Sequence, residues 1–212
     1  MAETKNVSYS SIMKELRSGQ YRPVYYLMGE ESYYIDKICD YIAEHVLQPE
    51  ERDFNQTIMF GSDVNASQIV DAARRYPMMA ERQVVIVKEA QNLKNTDALE
   101  KYLKQPSVTT VLVICHKNGK IDGRKREYVK AIQQAGILFE SQKVKDRDLP
   151  AFIEEFVKQK NASIDPKSTQ LIADAIGSDL SRLVSELEKV LLGLPEESRR
   201  ITPQVVEDRI GD

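Results

Sequence analysis

The chain has 212 residues, of which 42% are hydrophobic and 30% charged, a composition typical of a soluble protein with one or two domains. Its formal net charge of −3 argues against a protein that binds polyanions over its whole surface, although a local basic patch is compatible with it. The two cysteines, Cys39 and Cys115, form neither a disulfide framework nor a zinc-ligand spacing, which favours a reducing cytoplasm and predicts no bound metal.

Predicted strands and helices alternate along the first two thirds of the chain. Residues 1–6 lack the apolar segment of a signal peptide, and no later run approaches the ~20 apolar residues that cross a bilayer, so we expect a cytoplasmic protein without membrane contact. Hydrophobic periodicity predicts strands at 24–28, 54–60, 83–87, 109–115 and 136–140, and helices at 8–18, 31–47, 66–75, 98–103 and 124–134. This alternation predicts an α/β fold whose parallel five-stranded sheet is flanked by helices.

The pattern changes after residue 142, because no further strand is predicted there. Hydrophobic periodicity predicts four helices, at 148–160, 166–176, 179–192 and 203–210. Asp165 and Thr202 each precede a proline, as an N-cap residue often does, and Gly177 and Gly193 follow predicted helix ends. We therefore predict two domains, an α/β domain over residues 1–142 and a small all-helical domain over residues 143–212.

A stretch that begins at Gly29 has the spacing of a phosphate-binding loop but lacks its chemistry. Such a loop, G-x-x-x-x-G-K-[ST], needs an open backbone cradle, a lysine for the β- and γ-phosphates and a hydroxyl for Mg²⁺. Its last three positions are occupied here by Tyr34, Ile35 and Asp36. These side chains would crowd the cradle, supply no positive charge and repel an anion.

A second altered half-site follows the apolar run Val84–Val87. Lys88 stands where a nucleotide-hydrolysing enzyme carries its metal-binding Asp, and Glu89 stands at the position of the catalytic base. Two altered halves of one site, in the right order, favour an ATPase-like scaffold that no longer hydrolyses ATP and needs no cofactor. An active ATPase with a divergent loop is an alternative, for which the nearest lysine, Lys37, lies two positions late.

The segment Tyr76-Pro77-Met78-Met79 separates a predicted helix from the third predicted strand. Pro77 ends the helix, and two flexible thioethers at the tip of a loop can adapt to an apolar groove on a partner. The residues alone favour a second interpretation, in which Met78 and Met79 belong to the core, because methionine is usually buried. Tyr76 either flanks a partner contact or caps the core.

The only dense basic run lies between Lys117 and Lys130. Its members Lys120, Arg124, Lys125 and Arg126 could contact DNA phosphates, which would make binding depend on salt. No base-reading motif is present, so a solvated loop and helix face is the favoured interpretation.

Three segments resemble one family. An α/β domain with altered nucleotide-binding motifs, followed by a small helical domain, resembles the AAA+ scaffold. Pro23–Glu31, Ala72–Gln83 and Gly177–Lys189 are similar to the opening strand, the clamp-binding segment and the lid-helix motif of delta subunits of the bacterial DNA polymerase III clamp loader.

The resemblance implies a protein of DNA replication that binds the sliding clamp (the beta subunit) and promotes its opening, without hydrolysing ATP or acting as an enzyme by itself. Tyr76, Pro77, Met78 and Met79 would then contact the clamp, with Met79 in place of the family's usual Phe. Further implied partners are the gamma/tau and delta prime subunits, with DNA met through the complex. Family members carry a collar domain after the lid, so the resemblance implies an N-terminal two-domain part. A DNA-binding adaptor that uses the basic run is the second alternative.

Overall fold

The structure is a computed structural model that describes residues 7–210. It divides into two compact units, Met1–Gln142 and Lys143–Asp212. Within residues 7–210, no helix is long and apolar enough to span a membrane.

The first unit is built on five parallel strands. The strands are β1 (Val24–Gly29), β2 (Gln56–Phe60), β3 (Gln83–Lys88), β4 (Thr110–Lys117) and β5 (Ile137–Ser141). The helices are α1 (Tyr9–Arg17), α2 (Ser32–His45), α3 (Arg52–Asn55), α4 (Ala66–Ala73), α5 (Asp97–Lys104) and α6 (Arg126–Ala135). The strand order is β2-β3-β4-β1-β5, which confirms the predicted parallel five-stranded sheet.

Helices cover both faces of this sheet. On one face Tyr25 and Leu27 of β1 pack into a cluster with side chains of α1 and α2, such as Ile35. On the other face Tyr26 packs into a cluster with side chains of α4, α5 and α6, such as Tyr102. Because β1, β3 and β4 are buried on both faces, their sequences are apolar almost without interruption. Each fully buried aliphatic side chain contributes roughly 1.5–3 kcal/mol to folding.

The predicted start of the second strand is wrong. Phe54 and Asn55 belong to the short helix α3, and β2 begins at Gln56. The helical turn is closed by the backbone N–H of Gln56, which donates to the carbonyl of Arg52. The Asn55 side chain also donates to the carbonyl oxygen of Glu51, at 3.0 Å. These local bonds outweigh the strand preference at the start of the segment 54–60, which contains Phe54 and Phe60.

The second unit contains the four predicted helices, with small changes at their ends. They are α7 (Leu149–Gln159), α8 (Pro166–Ile176), α9 (Leu180–Leu192) and α10 (Pro203–Ile210). The expectation that this unit is entirely helical is wrong in one detail. Ser163–Ile164 (β6) and Arg200–Ile201 (β7) form a short parallel pair, and the Asp165 carboxylate binds Arg200 at 2.6 Å instead of capping α8.

Candidate functional site

The residues of the altered nucleotide motifs gather at the carboxyl edge of the sheet, where β1 and β3 end. Only Glu30 and Glu31 connect Gly29 to α2, so the connection is too short to form a backbone cradle around a phosphate. The buried carboxylate of Glu31 accepts a hydrogen bond from the backbone N–H of Tyr33, at 3.2 Å. A helix amino terminus is where such a scaffold holds a phosphate, and here a carboxylate of the chain occupies it.

The structure explains the glycine at position 29 without a bound ligand. Its φ is +122°, and a Cβ at this position would collide with the carbonyl oxygen of Ser141 at the end of β5. The hydroxyl oxygen of Ser141 accepts a hydrogen bond from the backbone N–H of Glu31, at 3.1 Å. The turn after β1 is therefore packed directly against β5.

The side chains at the three altered loop positions all have partners within the protein. Tyr34 packs against Tyr9, with ring centroids 4.7 Å apart and the ring planes tilted by 45°. Ile35 is 0% exposed and belongs to the core under α2. Asp36 forms an ion pair with Lys117 at the end of β4, at 2.6 Å.

The second altered half-site is also occupied by local structure. Lys88 is the last residue of β3 and is half-buried. Glu89 follows it in the left-handed region, with φ +54°, and its exposed carboxylate accepts a 3.5 Å hydrogen bond from the Asn92 side chain. The structure thus brings the six candidate residues to one edge of the sheet, with the Glu31 carboxylate at the amino terminus of α2; the six are Gly29, Tyr34, Ile35, Asp36, Lys88 and Glu89.

The segment Tyr76–Met79 lies at the opposite, amino edge of the sheet, in the loop that joins α4 to β3. Tyr76 is 87% exposed, Met78 61% and Met79 103%, while Pro77 is half-buried. The core interpretation of the methionine pair is therefore wrong, and their expected exposure is confirmed. Three large apolar side chains next to each other in a loop form an unusual surface for a folded domain.

Two buried amide side chains hold this loop, and sequence reasoning missed both. Asn55 exchanges a pair of hydrogen bonds with the backbone of Met78, and Gln83 donates to the carbonyl oxygen of Arg75 at 2.6 Å. The residues that each contact joins do not follow the periodicity of a helix or a strand, so hydrophobic periodicity does not predict these contacts. The only signal in the sequence is a polar Gln at the head of the apolar run Val84–Val87.

Two of the four basic residues that could contact DNA are paired with carboxylates. Lys120 lies 3.7 Å from Glu140, and Arg124 lies 2.5 Å from Asp122. The Arg124 guanidinium, through its hydrogen bonds, holds the pKa of the Asp122 carboxyl well below its usual range.

The remaining two members lie at the start of α6. Lys125 donates to the hydroxyl of Thr96 at 3.0 Å, and Arg126 is exposed. Of the four residues, two are thus paired with carboxylates and one with a hydroxyl.

Comparison with known proteins gives one consistent result. A family model described as DNA polymerase III, delta subunit, matches residues 25–142. The DNA polymerase III subunit delta of Bacillus subtilis (strain 168) is 26% identical over 189 residues, which are 84% of this chain and 54% of that protein. The solved structure of the Bacillus subtilis DNA clamp loader delta protein has a TM-score of 0.76 and 25% identity, and the match covers 95% of this chain and 62% of that one. The chain thus spans about half the length of the curated relative, and the predicted α/β fold class, a parallel five-stranded sheet flanked by helices, is confirmed.

Proposed function

The chain belongs to the DNA polymerase III delta subunit family, which a match over residues 25–142 shows, and from this premise we propose that it binds the sliding clamp and promotes its opening. The observation that carries the proposal is the exposed methionine pair, Met78 and Met79, in a loop that resembles the family's clamp-binding segment. The two side chains enter an apolar groove on the clamp, with Tyr76 and Pro77 beside them.

Apolar burial supplies the binding energy of this contact. A Met side chain that passes from water into a groove contributes roughly 1.5–3 kcal/mol. Its unbranched thioether adapts to the shape of the groove, which suits Met79 to a position where the family usually has Phe. A cluster of this kind has the character of an interface hot spot, in which few residues carry most of the affinity.

Opening of the clamp follows from a difference in affinity. A protein that binds the open ring more tightly than the closed ring shifts the population toward the open ring by that difference. The chain acts together with the other clamp-loader subunits, gamma/tau and delta prime, and meets DNA through that complex. It acts as a subunit of the polymerase holoenzyme and has no catalytic activity of its own.

The chain carries out this role without binding or hydrolysing ATP. Three features support this part of the proposal: the Glu31 carboxylate at the amino terminus of α2, the buried Ile35 at the lysine position and the Asp36–Lys117 ion pair. A nucleotide phosphate at this edge would meet the carboxylate of Glu31, while Lys117 at the same edge is already paired with Asp36.

Clamp opening can be measured with a fluorophore pair placed across one interface of the purified sliding clamp from the same organism. Addition of the purified chain should give saturable binding and a longer distance between the fluorophores. Binding without a distance change would contradict the opening role, and no binding at micromolar concentrations would contradict the proposal as a whole.

A further inference from the structure

Met79 has a backbone conformation that its side chain does not favour. Its φ is +53°, in the left-handed region, where the Cβ of a non-glycine residue is crowded by the backbone. The side chain is fully exposed, so burial of Met79 within this unit does not offset the strain. A conformation of this kind persists only where the surrounding structure imposes it.

The carboxamide of Asn55 provides that restraint. Its Oδ1 accepts a hydrogen bond from the backbone N–H of Met78 at 2.6 Å, and its Nδ2 donates to the carbonyl oxygen of Met78 at 2.9 Å. The same Nδ2 donates to the carbonyl oxygen of Glu51 at 3.0 Å, which ties the carboxamide to α3. Both backbone polar groups of Met78 are therefore fixed by one side chain, immediately before Met79.

A second restraint acts at the other end of the loop. The Gln83 side chain donates to the carbonyl oxygens of Ala72 and Arg75, at 3.1 and 2.6 Å, and to the hydroxyl of Thr110 at 2.9 Å. Gln83 is buried and is the first residue of β3. The chain between Arg75 and Met78 is thus anchored at one end to β3, through Gln83, and at the other end to α3, through Asn55.

We infer that Asn55 is a positioning residue that pre-organises Met78 and Met79 for the clamp, an inference that rests on the proposed function. Asn55 is 3% exposed and is therefore shielded from any partner, so its effect on affinity acts through the loop. A loop that is already ordered loses less conformational freedom on binding than a mobile loop. Removal of the carboxamide releases Met78, lets Met79 leave the left-handed region and weakens the clamp contact.

The test compares Asn55→Ala with a matched control, Ser141→Ala. In the wild type, the buried hydroxyl of Ser141 accepts a hydrogen bond from the backbone N–H of Glu31, at 3.1 Å. The control variant removes this bond, which is of the same kind but lies at the opposite edge of the sheet. Two quantities are measured for each variant: the hydrogen-exchange rate of the Met78 amide relative to amides of β4, and the dissociation constant for the purified sliding clamp. The double variant Met78→Ala, Met79→Ala is measured beside them.

Asn55→Ala should raise the relative exchange rate of the Met78 amide at least tenfold. It should also raise the clamp dissociation constant by roughly 5- to 30-fold. This increase is expected because the released loop has to order about two side chains when it binds. Ser141→Ala should change neither quantity by more than about twofold. If Asn55→Ala does not fold, Asn55→Asp replaces it: this variant loses the bonds that Nδ2 donates to the carbonyl oxygens of Glu51 and Met78, and it should show the same rise in the clamp dissociation constant.

Two other outcomes separate this inference from the proposed function. If the double methionine variant loses clamp binding while the folded Asn55 variant binds like the wild type, the inference is overturned and the proposed function stands. If the double methionine variant binds like the wild type, the proposed contact is overturned and the inference falls with it.

Discussion

The carboxylate of Asp36 binds the ammonium group of Lys117 through both oxygens, at 2.6 and 2.8 Å. This pair joins α2 to the end of β4, across the edge where a nucleotide would lie in an active relative of this scaffold. Because the pair is partly exposed, it contributes at most about 1 kcal/mol to stability. Its importance is positional, since Asp36 stands at the motif position of the hydroxyl that would bind Mg²⁺ and is paired there with Lys117.

A lysine at position 35, where a phosphate-binding loop would carry one, should not restore nucleotide binding at this edge of the sheet. Isothermal titration of the wild-type chain with Mg-ATP should give no heat beyond dilution, and the same result is expected for Ile35→Lys. Since Ile35 is fully buried in the core, a lysine there should lower the free energy of unfolding by at least about 3 kcal/mol.

A lysine on the exposed face of the same helix provides the control for that variant. Glu44→Lys, at an exposed position of α2, should change the free energy of unfolding by less than about 0.5 kcal/mol. A micromolar binding isotherm with Mg-ATP, for either the wild type or Ile35→Lys, would show that the edge is a functional nucleotide site.

Mild acid should destabilise the first unit through His116. The hydroxyl of Tyr26 lies 2.9 Å from Nδ1 of His116, so the neutral imidazole can accept a hydrogen bond from Tyr26, and the protonated imidazole cannot. Burial lowers the pKa of His116 below its usual 6.5. The unfolded state therefore takes up the proton first, and this part of the stability is complete above pH 6.5 and is lost as the pH falls through the folded-state pKa.

Substitution of His116 tests whether this residue causes the loss of stability at low pH. Urea unfolding between pH 8 and pH 5 should show a smaller decrease in the free energy of unfolding for His116→Gln than for the wild type. Equal decreases in both proteins would mean that His116 does not carry the effect.

The strain at Met79 predicts an unusual order of stability among small residues. Because alanine keeps a Cβ in the left-handed region and glycine does not, Met79→Gly should be more stable than Met79→Ala by about 1 kcal/mol in urea unfolding. The same pair of substitutions at Met78, which is not among the residues with positive φ, should give the opposite order, since glycine there adds only unfolded-state freedom. Alanine more stable than glycine at both positions would rule out the left-handed conformation in solution.

The sequence was sufficient for the strands β1, β3 and β4 because they carry an almost uninterrupted apolar signal. Val84–Val87 and Val111–Cys115 are buried on both faces, and no alternative structure would bury them as completely. The pair β6 and β7 has two residues in each strand, which is too short for any pattern. The apolar positions around Phe54 and Asn55 fit a strand, whereas local hydrogen bonds decide their structure.

The candidate site was harder to predict from the sequence than the fold was. Residue statistics place Met78 and Met79 in the core, and only the resemblance of the segment to a known family favoured exposure. The contact between Asn55 and Met78 joins residues 23 positions apart through a side chain, and hydrophobic periodicity contains no information about such contacts.

The most direct test of the account is the affinity of Met78→Ala, Met79→Ala for the purified sliding clamp, measured together with the thermal midpoint of the variant. Truncation of interface anchors typically costs at least about 2 kcal/mol, so the dissociation constant should rise tenfold or more. The midpoint should stay nearly unchanged, because both side chains are exposed. Leu192→Ala, which truncates an equally apolar and exposed side chain in the second unit, should leave the affinity unchanged. A double variant that keeps its midpoint and binds the clamp as tightly as the wild type would contradict the account.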